Sequence, residues 1–251
     1  MKVYIDSKYG YISDFIYSIP EIFPKEGKVI YDSRNTIKTF DINGLVINIK
    51  SFKKPNIVNR FVYKYIRKSK AERSYNNALR IMDKGISTPE PIAYIETYKK
   101  GLFDSSYYIS IHEQVDGTMK EIYKCSNNQS KDLIRAFTSF TADIHKKGIL
   151  HKDYSPGNIL FKKTDVGYHF YLVDLNRMKF KNISILASCK SFSRLYADKE
   201  VLHLIGEEYS KKRKYNKIMC QVLIQIYNWR FWKRHLMRHP DAIMNFSNIK
   251  I

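Results

Sequence analysis

The densest chemistry in the chain lies between His151 and Asn176. The run His151-Lys152-Asp153-Tyr154-Ser155-Pro156-Gly157-Asn158 has H-x-D-x-x-x-x-N spacing, and Leu172-Val173-Asp174-Leu175-Asn176 follows it. These residue types at this spacing fit transfer of a phosphoryl group from a nucleotide to a hydroxyl. Asp153 would face the acceptor hydroxyl as catalytic residue. Asn158 and Asp174 would hold magnesium on the nucleotide phosphates, because magnesium prefers hard oxygen donors such as amide and carboxylate oxygens. His151 belongs to the catalytic loop as a brace rather than as a proton carrier. Turn preferences alone would also place Asp, Asn, Pro and Gly in such a loop. Four matched positions between apolar runs favour the chemical role.

Using ATP in this way also requires a strand lysine on the phosphates, held by a helix glutamate. Lys50 ends the strand-like run Leu45-Val46-Ile47-Asn48-Ile49-Lys50, and Glu72 follows 22 residues later near the start of a helix. Lys53 and Lys54 compete for the lysine role, and Glu72 alone would serve equally as a capping-box residue. No G-x-G-x-x-G precedes Lys50. The turn Asp32-Ser33-Arg34-Asn35-Thr36 stands where a phosphate-covering loop would be, so Arg34 and Asn35 are candidate ATP contacts. An ordinary polar turn is the equal alternative.

Several elements must position these groups. Ile37–Ile42 and Leu45–Phe52 read as a hairpin closed by Asn43-Gly44, a pair suited to a type I′ turn. On its second strand Leu45, Ile47 and Ile49 share one face, and Val46, Asn48 and Lys50 share the other. Two helical stretches follow Pro55. The second starts at Ser69, whose S-x-x-E pattern with Glu72 caps it, and ends before Gly85. Strand-like segments follow at STPEPIAYIE and SSYYISIHEQV. Lys131 to Lys147 has helical periodicity and stops at Gly148. The catalytic loop and a hairpin formed by ILF and FYLVDL come next, and the pattern is helical from Ser191 onward. Strands first and helices later give an α+β arrangement that changes character near residue 112.

These residues resemble the lipopolysaccharide core sugar kinases of Kdo/WaaP type, most closely a Kdo kinase. The resemblance runs from about Tyr31 to Tyr209 and is strongest in IKSFKKP, SKAERSYNNALRIMDKGISTPEPIAYIE, HKDYSPGNIL and LVDLNRMKF. It implies a bilobal protein-kinase-like fold in one domain, with a β-rich N-lobe (about 1–112) and a small, mainly helical C-lobe (about 113–251). It further implies ATP and Mg2+ as cofactors, Lys50 and Glu72 as the ATP-positioning pair, Asp153 as acid/base, and Asn158 with Asp174 on the metal. The implied acceptor is a hydroxyl of a lipopolysaccharide inner-core sugar, Kdo favoured and heptose next. Asp174-Leu175-Asn176 looks like this group rather than like the Asp-Phe-Gly of eukaryotic protein kinases, and no A-P-E follows. Lys152 and Arg177 become candidate substrate contacts, with Lys179 and Lys181 extending a basic rim. A solvated charged loop is the alternative.

The formal net charge of +20 favours polyanionic partners. Acidic residues are missing between Ile42 and Ala71 and again between Tyr209 and Pro240. In the second region Met219, Val222, Leu223, Ile226 and Trp229 recur at helical spacing among basic residues. Ordinary packing would bury that stripe in the C-lobe. The competing expectation lays it on an anionic membrane surface, to which the charges point in either case. Cys125, Cys189 and Cys220 lack metal-ligand spacing and read as reduced thiols. With no signal-peptide pattern and no run of apolar residues long enough to span a bilayer, the expectation is a cytoplasmic protein, peripheral on the inner face of the bacterial inner membrane. The partners expected are lipopolysaccharide core (Kdo–lipid A type) and that anionic surface. No nucleic acid is expected, since no RNP, zinc-finger or helix-turn-helix pattern is present. A kinase of proteins or small alcohols, or a non-catalytic kinase-like binder, are the rival readings.

Overall fold

The computed structural model describes residues 1–124, 128–195 and 197–239; Cys125 lies outside them. The chain divides into two compact units, Met1–Gln114 with Asp174–Arg177, and Val115–Val173 with Met178–Ile251.

The first unit is built on one antiparallel sheet. Its strands are β1 (Lys2–Ile5), β2 (Lys28–Asp32), β3 (Thr36–Ile42), β4 (Leu45–Phe52), β5 (Pro91–Lys99) and β6 (Leu102–Ile111). They lie in the order β1-β5-β6-β4-β3-β2. The β3–β4 hairpin forms at the expected turn. Asn43 (φ 53°) and Gly44 (φ 86°) both adopt the left-handed conformation that a type I′ turn requires. The Gly44 N–H donates to Asp41 Oδ1 at 2.8 Å.

Strand alternation divides β4 as the sequence suggests. Ile47 and Ile49 are buried against Tyr9, Ile16, Ile19 and Phe23, contributed by helix α1 (Ser13–Ile22) and its flanks. Lys38 of β3 closes the end of that helix, its Nζ donating to the Phe23 carbonyl at 2.6 Å and the Glu26 carbonyl at 2.8 Å. Carbonyls at a helix end have no partner within the helix, so a lysine there removes a desolvation cost. Phe52 points to the opposite face and packs on Ala71 and Tyr75. Helix α2 (Ile57–Tyr65) follows β4, and α3 (Lys70–Met82) follows α2. Ser69 caps α3, accepting from the Glu72 N–H at 3.1 Å, and Gly85 follows its end at φ 64°.

The second unit contains α4 (Asn128–Lys146), a small sheet of β7 (Gly117–Thr118), β9 (Ile159–Thr164) and β10 (Gly167–Leu172), and a pair of β8 (Ile149–His151) with β11 (Met178–Phe180). Helices α5 (Ile185–Ser191), α6 (Lys199–Arg213) and α7 (Lys217–Arg238) complete it. Phe137 of α4 organises the core, with its ring against those of Tyr154, Phe170 and Phe192. Gly148 ends α4 at φ 74°, where a Cβ would come within 3.0 Å of the Lys181 carbonyl oxygen. Cys189 and Cys220 are buried free thiols.

Helix α7 corrects one expectation. Met219, Val222, Ile226 and Trp229 are exposed, and the buried positions are Cys220, Ile224 and Asn228. A helical stripe fixes which residues share a face, but not which face the neighbouring elements cover. Asn228 wins burial because its amide satisfies carbonyls of the adjoining turn.

His145, buried on α4, has its Nδ1 2.8 Å from the Tyr209 hydroxyl. Burial, with the Arg213 charge adding to it, pulls its pKa down to about 3. An unfolded imidazole binds its proton near pH ~6.5, so below that pH the unfolded chain takes up a proton that the native state refuses. Stability from this group is fully present above pH ~6.5 and falls by up to about 1.4 kcal/mol per pH unit toward pH ~3. His145→Gln should flatten that slope, read as urea midpoints at pH ~7.5 and ~5 that lie closer together than those of the wild type. Equal spacing in both proteins would contradict the buried neutral imidazole.

Candidate active site

In the first unit the site is built on β4, α3 and the segment Asp174–Arg177. Lys50 lies on the same face of β4 as Phe52, with its Nζ 5.2 Å from the centre of that ring. The ammonium donates to Asp174 Oδ1 at 2.6 Å. Asn176 Nδ2 donates to the same oxygen, also at 2.6 Å. Asp174 has φ 59°, a left-handed conformation that aspartate tolerates better than most residues but at some cost. Helix α3 holds it there. Arg73 and Asn77, one turn apart on one face, donate to the carbonyls of Asn176 (3.1 Å) and Leu175 (2.7 Å). Burial, then the charges of Arg67 and Arg177, lowers the Arg73 pKa from its usual value.

Other residues expected in the first unit are placed differently from one another. Glu72 lies 3.4 Å from Lys2 Nζ and 3.0 Å from Lys68 Nζ. Among the described residues no ion pair joins Glu72 to Lys50. Asn35 Oδ1 accepts from the Lys53 N–H at 3.2 Å, which ties its turn to the end of β4. Arg34 in that turn is exposed, as is Arg177.

The second unit carries the H-x-D-x-x-x-x-N loop, His151 to Asn158. His151 engages the backbone through both ring nitrogens, Nδ1 accepting from the Asp153 N–H at 3.1 Å and Nε2 lying 3.0 Å from the Val173 carbonyl. The ring therefore braces the loop against Val173, the residue that follows β10. Asn158 Nδ2 donates to the Asp153 carbonyl at 2.8 Å, and the Asn158 carbonyl accepts from the Val173 N–H at 3.0 Å. Tyr154 anchors the loop to α4, its hydroxyl 2.8 Å from Thr141 Oγ1. Lys152 is exposed.

Arg194 forms an ion pair with the Asp153 carboxylate, a contact that no sequence motif indicated. The guanidinium also lies 5.4 Å from the centre of the Phe231 ring on α7. Asn228 of α7 donates to the carbonyls of Ser193 (3.3 Å) and Leu195 (2.5 Å), and Trp232 Nε1 donates to Leu195 as well (3.0 Å). The last helix thus grips the backbone on either side of Arg194 and sets the arginine on Asp153.

The donor set fits magnesium by its chemistry. With Asn158 Nδ2 donating to the loop, its Oδ1 is the atom that would bind magnesium, and Asp174 would offer a carboxylate. A carboxylate and an amide oxygen, completed by phosphate and water, are how magnesium is usually held. Among the described residues there is no cluster of three or more His, Cys, Asp or Glu arranged to hold a metal.

The model of the lipopolysaccharide kinase (Kdo/WaaP) family matches residues 50–241. No curated protein matches the sequence. A solved structure described as WaaP in complex with acyl carrier protein superposes with a TM-score of 0.61 at 12% identity, covering 92% of this chain and 100% of that one. At that identity the likeness speaks for the fold, which is protein-kinase-like.

Asn228→Ala should remove the amide donor from the Ser193 carbonyl, leave the Leu195 carbonyl with Trp232 alone, and cost about 1–3 kcal/mol in urea unfolding. It should also lower turnover more than a surface control on α7 such as Arg234→Ala, because Arg194 loses its footing. Unchanged stability and turnover would show that α7 does not position Arg194.

Proposed function

The chain belongs to the lipopolysaccharide kinase (Kdo/WaaP) family, and we propose that it transfers the γ-phosphate of magnesium-bound ATP to a hydroxyl of an inner-core sugar, Kdo before heptose. The observation that carries the proposal is the pairing of Lys50 with Asp174 within the first unit; the ion pair of Asp153 with Arg194 within the second agrees with it. In the transfer, the acceptor oxygen forms a bond to γ-phosphorus while the bond to the ADP oxygen breaks. Asp153 takes the hydroxyl proton, and Arg194 fixes the plane of its carboxylate. Lys50 binds phosphate oxygens, while Asn158 and Asp174 would hold magnesium. When bound, magnesium neutralises charge on the β- and γ-phosphates. The Lys50–Glu72 pair enters the proposal as the nucleotide-bound arrangement, which would require Glu72 to leave Lys2 and Lys68.

Kdo carries a carboxylate, which suits a chain of net charge +20 whose catalytic aspartate already sits beside an arginine. Lys152 and Arg177, both exposed, are proposed to add to acceptor binding. No helix of the described residues is long and apolar enough to cross a membrane. The exposed stripe of α7, with Trp229 at 54% and Val222 at 48% exposure, lies among Lys217, Arg230, Lys233 and Arg234. That combination supports a reversible seat on anionic lipid at the inner face of the inner membrane, each basic residue near the surface adding about 1 kcal/mol.

Purified protein given ATP, magnesium and Kdo–lipid A should add one phosphate to a sugar, seen by mass spectrometry. Asp153→Asn should reduce the rate by about 100-fold or more. Transfer to heptose-bearing core alone would move the acceptor to heptose. Transfer only to peptides or small alcohols would overturn the sugar-kinase proposal, and an undiminished rate in Asp153→Asn would overturn the role of Asp153.

A further inference from the structure

The first unit gathers more positive charge at the head of α3 than its acids can balance. Lys70 opens α3, and its Nζ lies 5.8 Å from the centre of the Phe52 ring, the same ring that Lys50 Nζ approaches at 5.2 Å. Phe52 is thus a shared apolar floor beneath two ammonium groups. Arg73 lies one turn further along α3, bonded to the Asn176 carbonyl. Asp174, whose charge acts on Lys70, is already bonded to Lys50 and Asn176. Among the described residues Lys70 has no carboxylate within 4.0 Å.

This position is an expensive one for a lysine. The first turn of a helix presents the positive end of the backbone dipole, which disfavours a cation. Burial, followed by the charges of Arg34 and Arg73 and, more weakly, Lys50, lowers the Lys70 pKa, with only Asp174 opposing. Uncompensated charge of this kind is one mark of a site where a ligand supplies the counter-charge.

We propose that Lys70, with Lys50 and the exposed Arg34, forms an oxyanion site for the polyphosphate of the nucleotide, a lysine-built substitute for the glycine-rich loop this sequence lacks. The inference rests on the kinase reading and adds to it the residue that covers the phosphates. Lys70 binds phosphate oxygen by charge, whereas a glycine loop binds it by backbone N–H groups. Removing the lysine should therefore be felt in proportion to phosphate charge, and not by the nucleoside.

The test is equilibrium binding by calorimetry on the full chain, with ATP, AMP and inorganic tripolyphosphate as probes. Lys70→Gln should weaken ATP and tripolyphosphate by about tenfold, leave AMP within about twofold, and raise the melting temperature of the unliganded protein. Lys70→Arg should restore most of the ATP affinity. If wild type binds ATP and Lys70→Gln binds it equally well, the phosphate site is wrong and the kinase reading stands. If tripolyphosphate binds in a Lys70-dependent way but ATP binds no better than AMP, the anion site stands and the kinase reading fails. Equal weakening of AMP and ATP by Lys70→Gln would mark a general structural defect and overturn the assignment.

Discussion

The bond between Lys50 and Asp174 is the interaction on which the rest of the site depends. A strand lysine on an otherwise apolar surface needs a counter-charge, and an aspartate in a left-handed backbone needs something to hold it there. At 2.6 Å each answers the other. The neighbouring hydrogen bonds serve the same end: Asn176 shares the carboxylate oxygen, while Arg73 and Asn77 hold the two carbonyls that follow. One residue earlier, Val173 is bonded through its N–H to Asn158 and through its carbonyl to His151. Asp174 therefore directly follows a residue bonded to the His151–Asn158 loop, and is itself bonded to Lys50. A backbone strained at such a point is commonly a functional device.

A second constraint acts on Asp153. Its carboxylate would be a mobile group on a short loop if the loop were held only by turn chemistry. His151, Asn158 and Tyr154 fix the backbone, and Arg194 fixes the side chain. Because Asn228 and Trp232 grip the carbonyls around Arg194, α7 acts on Asp153 through that arginine. The same helix presents Trp229 and Val222 to solvent on its other side. One element thereby combines a packed face with an exposed apolar one.

Much of this was legible in the sequence because it is local. The β3–β4 hairpin follows from Asn43-Gly44, the start of α3 from Ser69 and Glu72, and the face of Lys50 from strand alternation. The bracing of the loop by His151 was expected from the H-x-D-x-x-x-x-N spacing, and its ring is indeed bonded to the backbone on both sides. What escaped notice depends on distant contacts. Arg194 lies 41 residues beyond Asp153, with no motif between them. Glu72 meets Lys2, a residue of β1 placed beside it only by the sheet order. Helical periodicity grouped the α7 stripe correctly but could not show that Cys220, Ile224 and Asn228 would be covered instead. Arg73 and Asn77 fall inside the motif SKAERSYNN, yet their role appears only once the Asp174–Arg177 segment lies against α3.

The central claim is that Asp174 is held in place to bring magnesium to a nucleotide, and metal-dependent nucleotide affinity tests it most directly. Asn is tolerated in the left-handed region as Asp is, so Asp174→Asn should keep the fold while removing the charge. Calorimetric titration of ATP with and without magnesium should show tighter binding with the metal in wild type, by about tenfold or more, and almost no gain in Asp174→Asn. The same magnesium-dependent gain in both proteins would contradict the account.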